Sequence, residues 1–340
     1  MKICQVLGSR GWGGLERHFI DLCNQLARRH EVIAIAHPEF RDRLDGSVLF
    51  EAFELGGWRY SPRALYGLYR IIAKHRPAII HAQANRAAAM VGALRPMLGG
   101  KCIATIHNLK HNTRMYRSFD RVIAVSRQTA SQLAHPHVDV VYNGIEPPRL
   151  PSEAGLAYLQ AALGSQVAAP VVMAVGRLVP AKGFDLLLRA WAEVPAVLVI
   201  VGEGPERQKL ENYVRDHNLA DRVIFAGYRS DVTALLASAD LLAISSYKEG
   251  FSYVLAEGLQ VHRVAVATRV PVAMEILPEE FLVDCGDAPR LAAAIKRVLE
   301  DPDAARSAFA GVWEFAAREL TLTRMVERTE QVYQKALTAQ

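Results

Sequence analysis

Short runs of β-branched and apolar residues recur along the first half of the chain, each followed by a longer stretch with apolar positions every three or four residues. The runs are KICQVL (2–7), EVIAIA (31–36), AIIHAQ (78–83), CIATIH (102–107), RVIAVS (121–126) and VDVVYN (138–143). Between them, LERHFIDLCNQLARRH (15–30) and PRALYGLYRIIAKH (62–75) carry the helical period. Near-continuous apolar strands separated by helices predict a parallel sheet covered on both faces, because each crossover lays a helix over the strands. The pattern breaks at NGIEPPRLPSEAG (143–155), where proline and glycine interrupt both periods. It restarts with PVVMAVGRL, AVLVIVGEG, RVIFAGYR, LLAISS, RVAVATRV and FLVDCGD. The expectation is an α/β chain of two Rossmann-like doubly wound domains, residues 1–160 and 161–320. They are expected to face a central cleft at the carboxyl ends of both sheets, where open α/β sheets bind ligands. A last amphipathic stretch, within residues 321–340, predicts a helix that packs back on the first domain.

Composition places the chain among ordinary globular proteins: 340 residues, 51% hydrophobic and 22% charged. No apolar run reaches the roughly 20 residues that span a bilayer. The opening MKICQVLGSR is too short before its first glycines to read as a secretory signal, so the expected location is the cytoplasm. Cys4, Cys23, Cys102 and Cys285 are scattered without a C-x-x-C pair, and three of them fall in core-like runs, the usage of reduced thiols.

Charge changes the picture more. Residues 1–150 hold 4 Lys and 17 Arg against 11 acids, giving +10, and the remainder holds 19 bases against 24 acids, giving −5. An arginine-rich half meets phosphate, a lipid surface or nucleic acid, or else forms a solvated basic face. Nucleic acid fits least, because the aromatic residues do not interleave with the basic ones as base stacking requires. Arg59, Arg63, Arg70 and Lys74 cluster around the amphipathic stretch 62–75. That patch suits a phosphorylated acceptor or an anionic membrane surface.

Several turns could carry chemistry. GSRGWGGLERHF (8–19) links a strand to a helix, and its backbone N–H groups and the helix N-terminus could cradle a phosphate. The loop lacks the complete dinucleotide spacing and the Walker lysine, so its glycines serve equally as a tight turn. VGEGP (201–205) repeats the arrangement at Gly202. In GRLVPAKGFDLLLRAW (176–191), Arg177 ends a strand and Lys182 precedes a helix. A planar guanidinium fork and a point charge at a helix N-terminus suit a diphosphate. His107 ends a buried strand in TIHN (105–108), where it is either a working group or a satisfied core residue. In SSYKEGFSYVLAEGLQ (245–260), Glu249 is placed in a loop broken by Gly250, and Glu257 in the early turns of the following helix. Asp301–Pro302–Asp303 matches a metal-binding D-x-D only by letter and reads as a turn with a helix cap.

These pieces together resemble the retaining GT-B glycosyltransferases of family 4. The second half carries GRLVPAKGFDLLLRAW, VLVIVGEGPERQKLE and RVIFAGYRSDVTALLASADLLAISSYKEGFSYVLAEG, including an E-x7-E element from Glu249 to Glu257. The first half carries a GG-x-E loop (Gly13, Gly14, Glu16), HAQ (81–83), TIHN, FDRVIAVS (119–126) and YNGI (142–145) in the family's order. The resemblance implies a GT-B fold, with a nucleotide-diphosphate sugar (UDP-, GDP- or ADP-sugar) on the second domain and the acceptor on the first. It further implies that Arg177 and Lys182 grip the diphosphate. Glu257 would bind the ribose hydroxyls, and Glu249 with Gly250 and Phe251 the donor sugar. Gly13 and Gly14 would approach the donor from the other domain, Gly202 would belong to the donor site, and His107 would lie near the reacting centre. No metal and no cofactor are implied. Bond cleavage builds charge on the departing diphosphate, and fixed cations bind that charge better than the ground state.

The chain departs from the family in three places. His262 and Arg263 replace a usual Gly-x-Pro, and Pro271–Val272–Ala273 replace a usual Gly-Gly. Only about a dozen residues separate His107 from FDRVIAVS. The expected function is sugar transfer to a glycan or lipid-linked acceptor in lipopolysaccharide core or envelope polysaccharide synthesis, with peripheral attachment to an anionic membrane. The competing readings are a non-catalytic nucleotide-sugar-binding partner subunit and a nucleotide-sugar epimerase of the same fold.

Overall fold

The structure is a computed structural model describing residues 1–54, 58–108, 113–147, 161 and 169–338. The chain divides into two compact units, Met1–Gly144 with Leu322–Gln340, and Ile145–Thr321. The first unit thus ends well before residue 160. Ile145 already belongs to the second: it bridges Thr321, and its N–H bonds the Leu320 carbonyl at 3.1 Å. The expected boundary itself lies outside the described residues.

The first unit is built on seven parallel strands: β1 (Lys2–Leu7), β2 (Glu31–Ala36), β3 (Leu49–Ala52), β4 (Ile79–Gln83), β5 (Lys101–Ile106), β6 (Arg121–Ala124) and β7 (Val138–Val140). Their order is β3-β2-β1-β4-β5-β6-β7, so the winding reverses between β1 and β4. β3 has no counterpart among the sequence-predicted strands. It is four residues long and half exposed, so it shows neither an apolar run nor a clean alternation.

The second unit holds β8 (Val171–Val175), β9 (Val197–Val201), β10 (Val223–Gly227), β11 (Leu241–Ile244), β12 (Ala265–Thr268) and β13 (Leu282–Val283), again parallel. The order β10-β9-β8-β11-β12-β13 reverses between β8 and β11. At such reversals the neighbouring crossovers leave the sheet to opposite faces and open a crevice at the strands' carboxyl ends. The switch points therefore put Leu7–Gly8 beside Gln83–Ala84 in one unit and Gly176–Arg177 beside Ser245–Glu249 in the other. Ala84 takes φ 62° at that junction, a left-handed conformation that a residue with a Cβ rarely adopts.

Apolar side chains cover both faces of the first sheet. One cluster joins Ile3, Leu7, Phe19 and Leu22 to Leu322, Met325, Val326, Val332 and Tyr333 of the last helix, Leu322–Thr338. The C-terminal helix is thus part of the first unit's core. Cys4, Cys23 and Cys102 are buried free thiols, and Cys285 is exposed. Asp301 caps the helix Pro302–Glu319 by accepting from Ala304 N. His262 holds a left-handed turn at φ 55° and packs its ring 5.2 Å from that of Trp313. Pro271 opens a short helix, Pro271–Ile276, whose Val272 and Ala273 are buried. Among the described residues no helix is long and apolar enough to cross a membrane.

Candidate active site

In the second unit the site is assembled from three loops at the carboxyl ends of β8, β9 and β11. After β8 the chain passes Gly176 and Arg177 into a 3-10 turn, Pro180–Lys182, and then the helix Phe184–Trp191. Gly183 joins turn to helix at φ 63°, and a Cβ there would fall 2.0 Å from Ser245 O. Gly202, just past β9, is tighter still: φ is 139°, and a Cβ would fall 1.9 Å from Gly176 O. Only glycine lets these loops close on one another.

The β11 loop is stitched to the turn. Tyr247 N donates to Ala181 O at 2.9 Å, and Ser245 Oγ donates to Lys182 O at 3.2 Å. This brings Lys182 Nζ to 2.6 Å from Glu249 Oε1, while Ser246 Oγ donates to the same oxygen at 2.7 Å. Glu249 is buried. Two residues that sequence reading assigned to different parts of a donor are therefore ion-paired here. Arg177 is exposed, and among the described residues its guanidinium has no hydrogen-bond or ion-pair partner. Phe251 packs edge-on against Tyr253. Ser252 caps the helix Tyr253–Gln260 through Leu255 N, which leaves Glu249 in the loop and Glu257 in the helix. Ser246 was not singled out from the sequence, because nothing in SSYKEG marks which serine faces the acid.

In the first unit, Gly13 is the N-cap of the helix Gly14–Ala27 in extended backbone. The nearest atom to a Cβ at Gly13 would be Glu16 Oε2 at 3.2 Å, so the unit's own packing does not demand glycine there. His107 follows β5 and is buried, with Nε2 3.0 Å from Gln83 Oε1 and its ring 4.7 Å from that of His18. Burial, reinforced by the neighbouring His18 and His81, drives the His107 pKa well below the usual histidine value. Burial likewise lowers His18 to about 4 and His81 to about 3. All three are neutral at pH 7.

The four basic residues proposed for the acceptor do not converge. Arg63 and Lys74 stand at opposite ends of the helix Pro62–His75, about 16 Å apart along its axis. Arg59 lies over Tyr60, and Lys74 is tied to Glu51 at 2.7 Å. Successive helical residues turn about 100°, so Arg63, Tyr66, Arg70 and Lys74 share one exposed face. Trp58, Tyr60 and Tyr66 are exposed beside them. A separate cavity of about 230 Å³ at the carboxyl ends of β1–β3 is lined by Ser9, Arg10, His37, Phe53 and Arg86. It escaped sequence reading because its residues come from four separate segments. Among the described residues no group of three or more His, Cys, Asp or Glu side chains is placed to hold a metal ion.

Comparison with known proteins agrees with this geometry. The family model described as "Glycosyl transferases group 1" matches residues 159–310, and that described as "Glycosyltransferase Family 4" matches residues 12–149. The chain belongs to the GT4-like glycosyltransferases. It is 28% identical over 304 residues to the lipopolysaccharide core biosynthesis glycosyltransferase LpsD of Rhizobium meliloti, covering 85% of this chain and 86% of that protein. The Anabaena protein Alr3699/HepE, solved with UDP, superposes with a TM-score of 0.86 at 22% identity over 98% of this chain and 100% of that one. Its UDP-glucose complex superposes with a TM-score of 0.84. The fold is GT-B, and the chain is a glycosyltransferase.

Proposed function

We propose that this GT4-like enzyme is a retaining, metal-independent transferase. It moves a sugar from a nucleotide-diphosphate sugar onto a glycan or lipid-linked acceptor of the lipopolysaccharide core or a related envelope polysaccharide. The supporting observation is the Lys182–Glu249 pair beside Arg177, held at the N-terminus of the helix Phe184–Trp191 by a glycine-locked loop junction. Two cations and aligned backbone N–H groups at one strand edge meet the charge of a leaving diphosphate. The anomeric C–O bond to the diphosphate breaks as the acceptor oxygen bonds the same face, and the acceptor proton passes to a diphosphate oxygen. Glu249 and Glu257 then bind hydroxyls and attack nothing. The crystallised relative holding UDP-glucose and the LpsD relative support the donor class and the envelope role.

The basic, aromatic face of the helix Pro62–His75 fits peripheral attachment to an anionic membrane on the cytoplasmic side better than recognition of one phosphate, because its charges form a stripe. The cavity lined by Arg10 and Arg86 is the better place for an acceptor's polar groups. A second reading, a non-catalytic nucleotide-sugar-binding subunit, is favoured by the buried Pro271–Ala273 segment, which offers no glycine backbone to a ligand. Thermal shifts with UDP-, GDP- and ADP-sugars identify the donor, since binding raises apparent stability. NMR of the product's anomeric configuration, run with the donor that shifts, separates the readings: a retained anomer supports transfer with retention, an inverted one sinks it, and no product supports the subunit reading.

A further inference from the structure

A buried hydrogen-bond chain runs from the last helix to His107. Gln83 Oε1 is an acceptor only, so His107 must donate to it from Nε2–H at 3.0 Å. Gln83 Nε2 donates to Gln5 Oε1 at 3.0 Å, and Gln5 Nε2 donates to the Tyr333 oxygen at 2.8 Å. Burial keeps the Tyr333 phenol protonated far above its usual pKa, so its single proton remains to be given. It goes to His81 Nδ1 at 2.7 Å, leaving His81 Nε2 to donate to Thr105 Oγ1 at 2.7 Å. Gln5, His81, Gln83, Thr105 and Tyr333 are each no more than 1% exposed, so no water competes for these bonds.

The sense of the chain is all-or-none, and the Gln5 and Gln83 amide orientations set it. Each amide offers an oxygen to one neighbour and an NH₂ to the other, so reversing one link reverses all. Both amides would have to flip, the phenol turn, and both histidines change tautomer together, because any partial reversal faces donor with donor or acceptor with acceptor in the dry core.

We propose that Tyr333, acting through Gln5 and Gln83, is a positioning residue. It holds the His107 imidazole in its Nε2–H tautomer and leaves the Nδ1 lone pair to accept a hydrogen bond from a substrate hydroxyl. This rests on the reading that places His107 at the reacting centre. A histidine so held serves a hydroxyl and has no proton to offer a departing diphosphate. The C-terminal helix thereby contributes to transfer without touching substrate.

The test uses the full-length chain labelled with ¹⁵N. Long-range ¹H–¹⁵N correlation of the His107 ring, assigned by its loss in His107→Gln, should show the Nε2–H pattern alone. A ring protonated at Nδ1, or one averaging between tautomers, overturns the proposal. Tyr333→Phe and Gln83→Leu should each introduce the second tautomer. They should also lower kcat by about 10–100-fold, the loss seen when groups that orient metal-bound imidazoles are removed, with the donor KM within about two-fold. Variants that lose thermal stability but keep a single tautomer and full kcat make the chain merely structural and overturn the proposal. If His107→Ala leaves transfer intact while the wild-type tautomer is as stated, the tautomer lock stands and the placement of His107 at the reacting centre falls.

Discussion

Lys182 and Glu249 neutralise one another: the ammonium lies 2.6 Å from Oε1 of a carboxylate whose side chain is only 5% exposed. A diphosphate that draws Lys182 toward itself would free Glu249 to accept hydroxyls, so the pair couples the two ends of a donor. Lys182→Met should leave Glu249 buried without its counterion, lowering stability by about 1–3 kcal/mol. Transfer should fall about 10²–10³-fold, as at other sites that stabilise a developing anion. Glu249→Gln keeps a side-chain oxygen for Ser246 and should be milder for stability. In the double variant the stability losses should sum to more than the measured loss. Calorimetry and initial rates decide; transfer within three-fold of wild type in Lys182→Met removes this residue from the site.

Two glycines separate folding from binding. Gly202→Ala would set a Cβ 1.9 Å from Gly176 O at a φ of 139°. It should cost more than about 3 kcal/mol or prevent accumulation of folded protein. Gly13→Ala meets only the Glu16 carboxylate at 3.2 Å and should cost about 1 kcal/mol or less, typical of losing a glycine N-cap. If Gly13 approaches the donor, the alanine variant should nevertheless bind nucleotide sugar more weakly. Unchanged affinity by titration calorimetry would make Gly13 a plain turn.

Acid should unfold the first unit early. His18 and His81 fall to about 4 and about 3 in the fold, against an ordinary 6.5. The unfolded chain therefore binds more protons between those values, and stability is lost as pH drops from about 6.5 toward 4. At pH 5 each histidine should remove about 2 kcal/mol relative to neutral pH. Among the described residues, neither ring nitrogen of buried His18 has a hydrogen-bond partner. His18→Leu should therefore flatten the slope of stability against pH by about one buried histidine's share. Urea titrations at pH 7 and 5 measure it, and an unaltered slope refutes the assignment.

Liposomes containing anionic lipid should retain the protein at low salt and release it as salt rises, through Arg63, Arg70 and Tyr66 on the exposed face of the helix Pro62–His75, with Trp58 beside them. Each basic residue near such a surface contributes about 1 kcal/mol. Arg63→Glu with Arg70→Glu should therefore abolish sedimentation with vesicles while sparing transfer to a soluble acceptor. Binding that ignores salt, or survives the double variant, excludes this face.

Strand positions were legible because buried parallel strands are nearly continuous apolar runs, and Glu249 and Glu257 could be placed because Gly250 interrupts the helical period. What escaped depends on distance along the chain. Gln5 and Tyr333 are 328 residues apart, and nothing local in QVYQKAL says that its tyrosine will meet a glutamine on the first strand. Ser246 and the cavity around Arg86 were invisible for the same reason. The basic cluster at 59–74 was visible as charge. Only the helix shows that it is a stripe rather than a socket, and that Lys74 is spent on Glu51.

The last helix completes a core whose strands are made first. Ile3, Leu7 and Phe19 pack on Met325, Val326 and Tyr333, so the nascent first unit emerges from the ribosome with an apolar face and two buried-to-be amide groups uncovered. The whole second unit must be synthesised before the cover arrives, roughly 10–40 s later at about 5–20 residues per second. During that interval the early sheet keeps an apolar face uncovered, whereas the second unit is one continuous segment. A chain released before residue 333 should therefore carry the whole segment of the second unit and a first unit lacking part of its apolar cover.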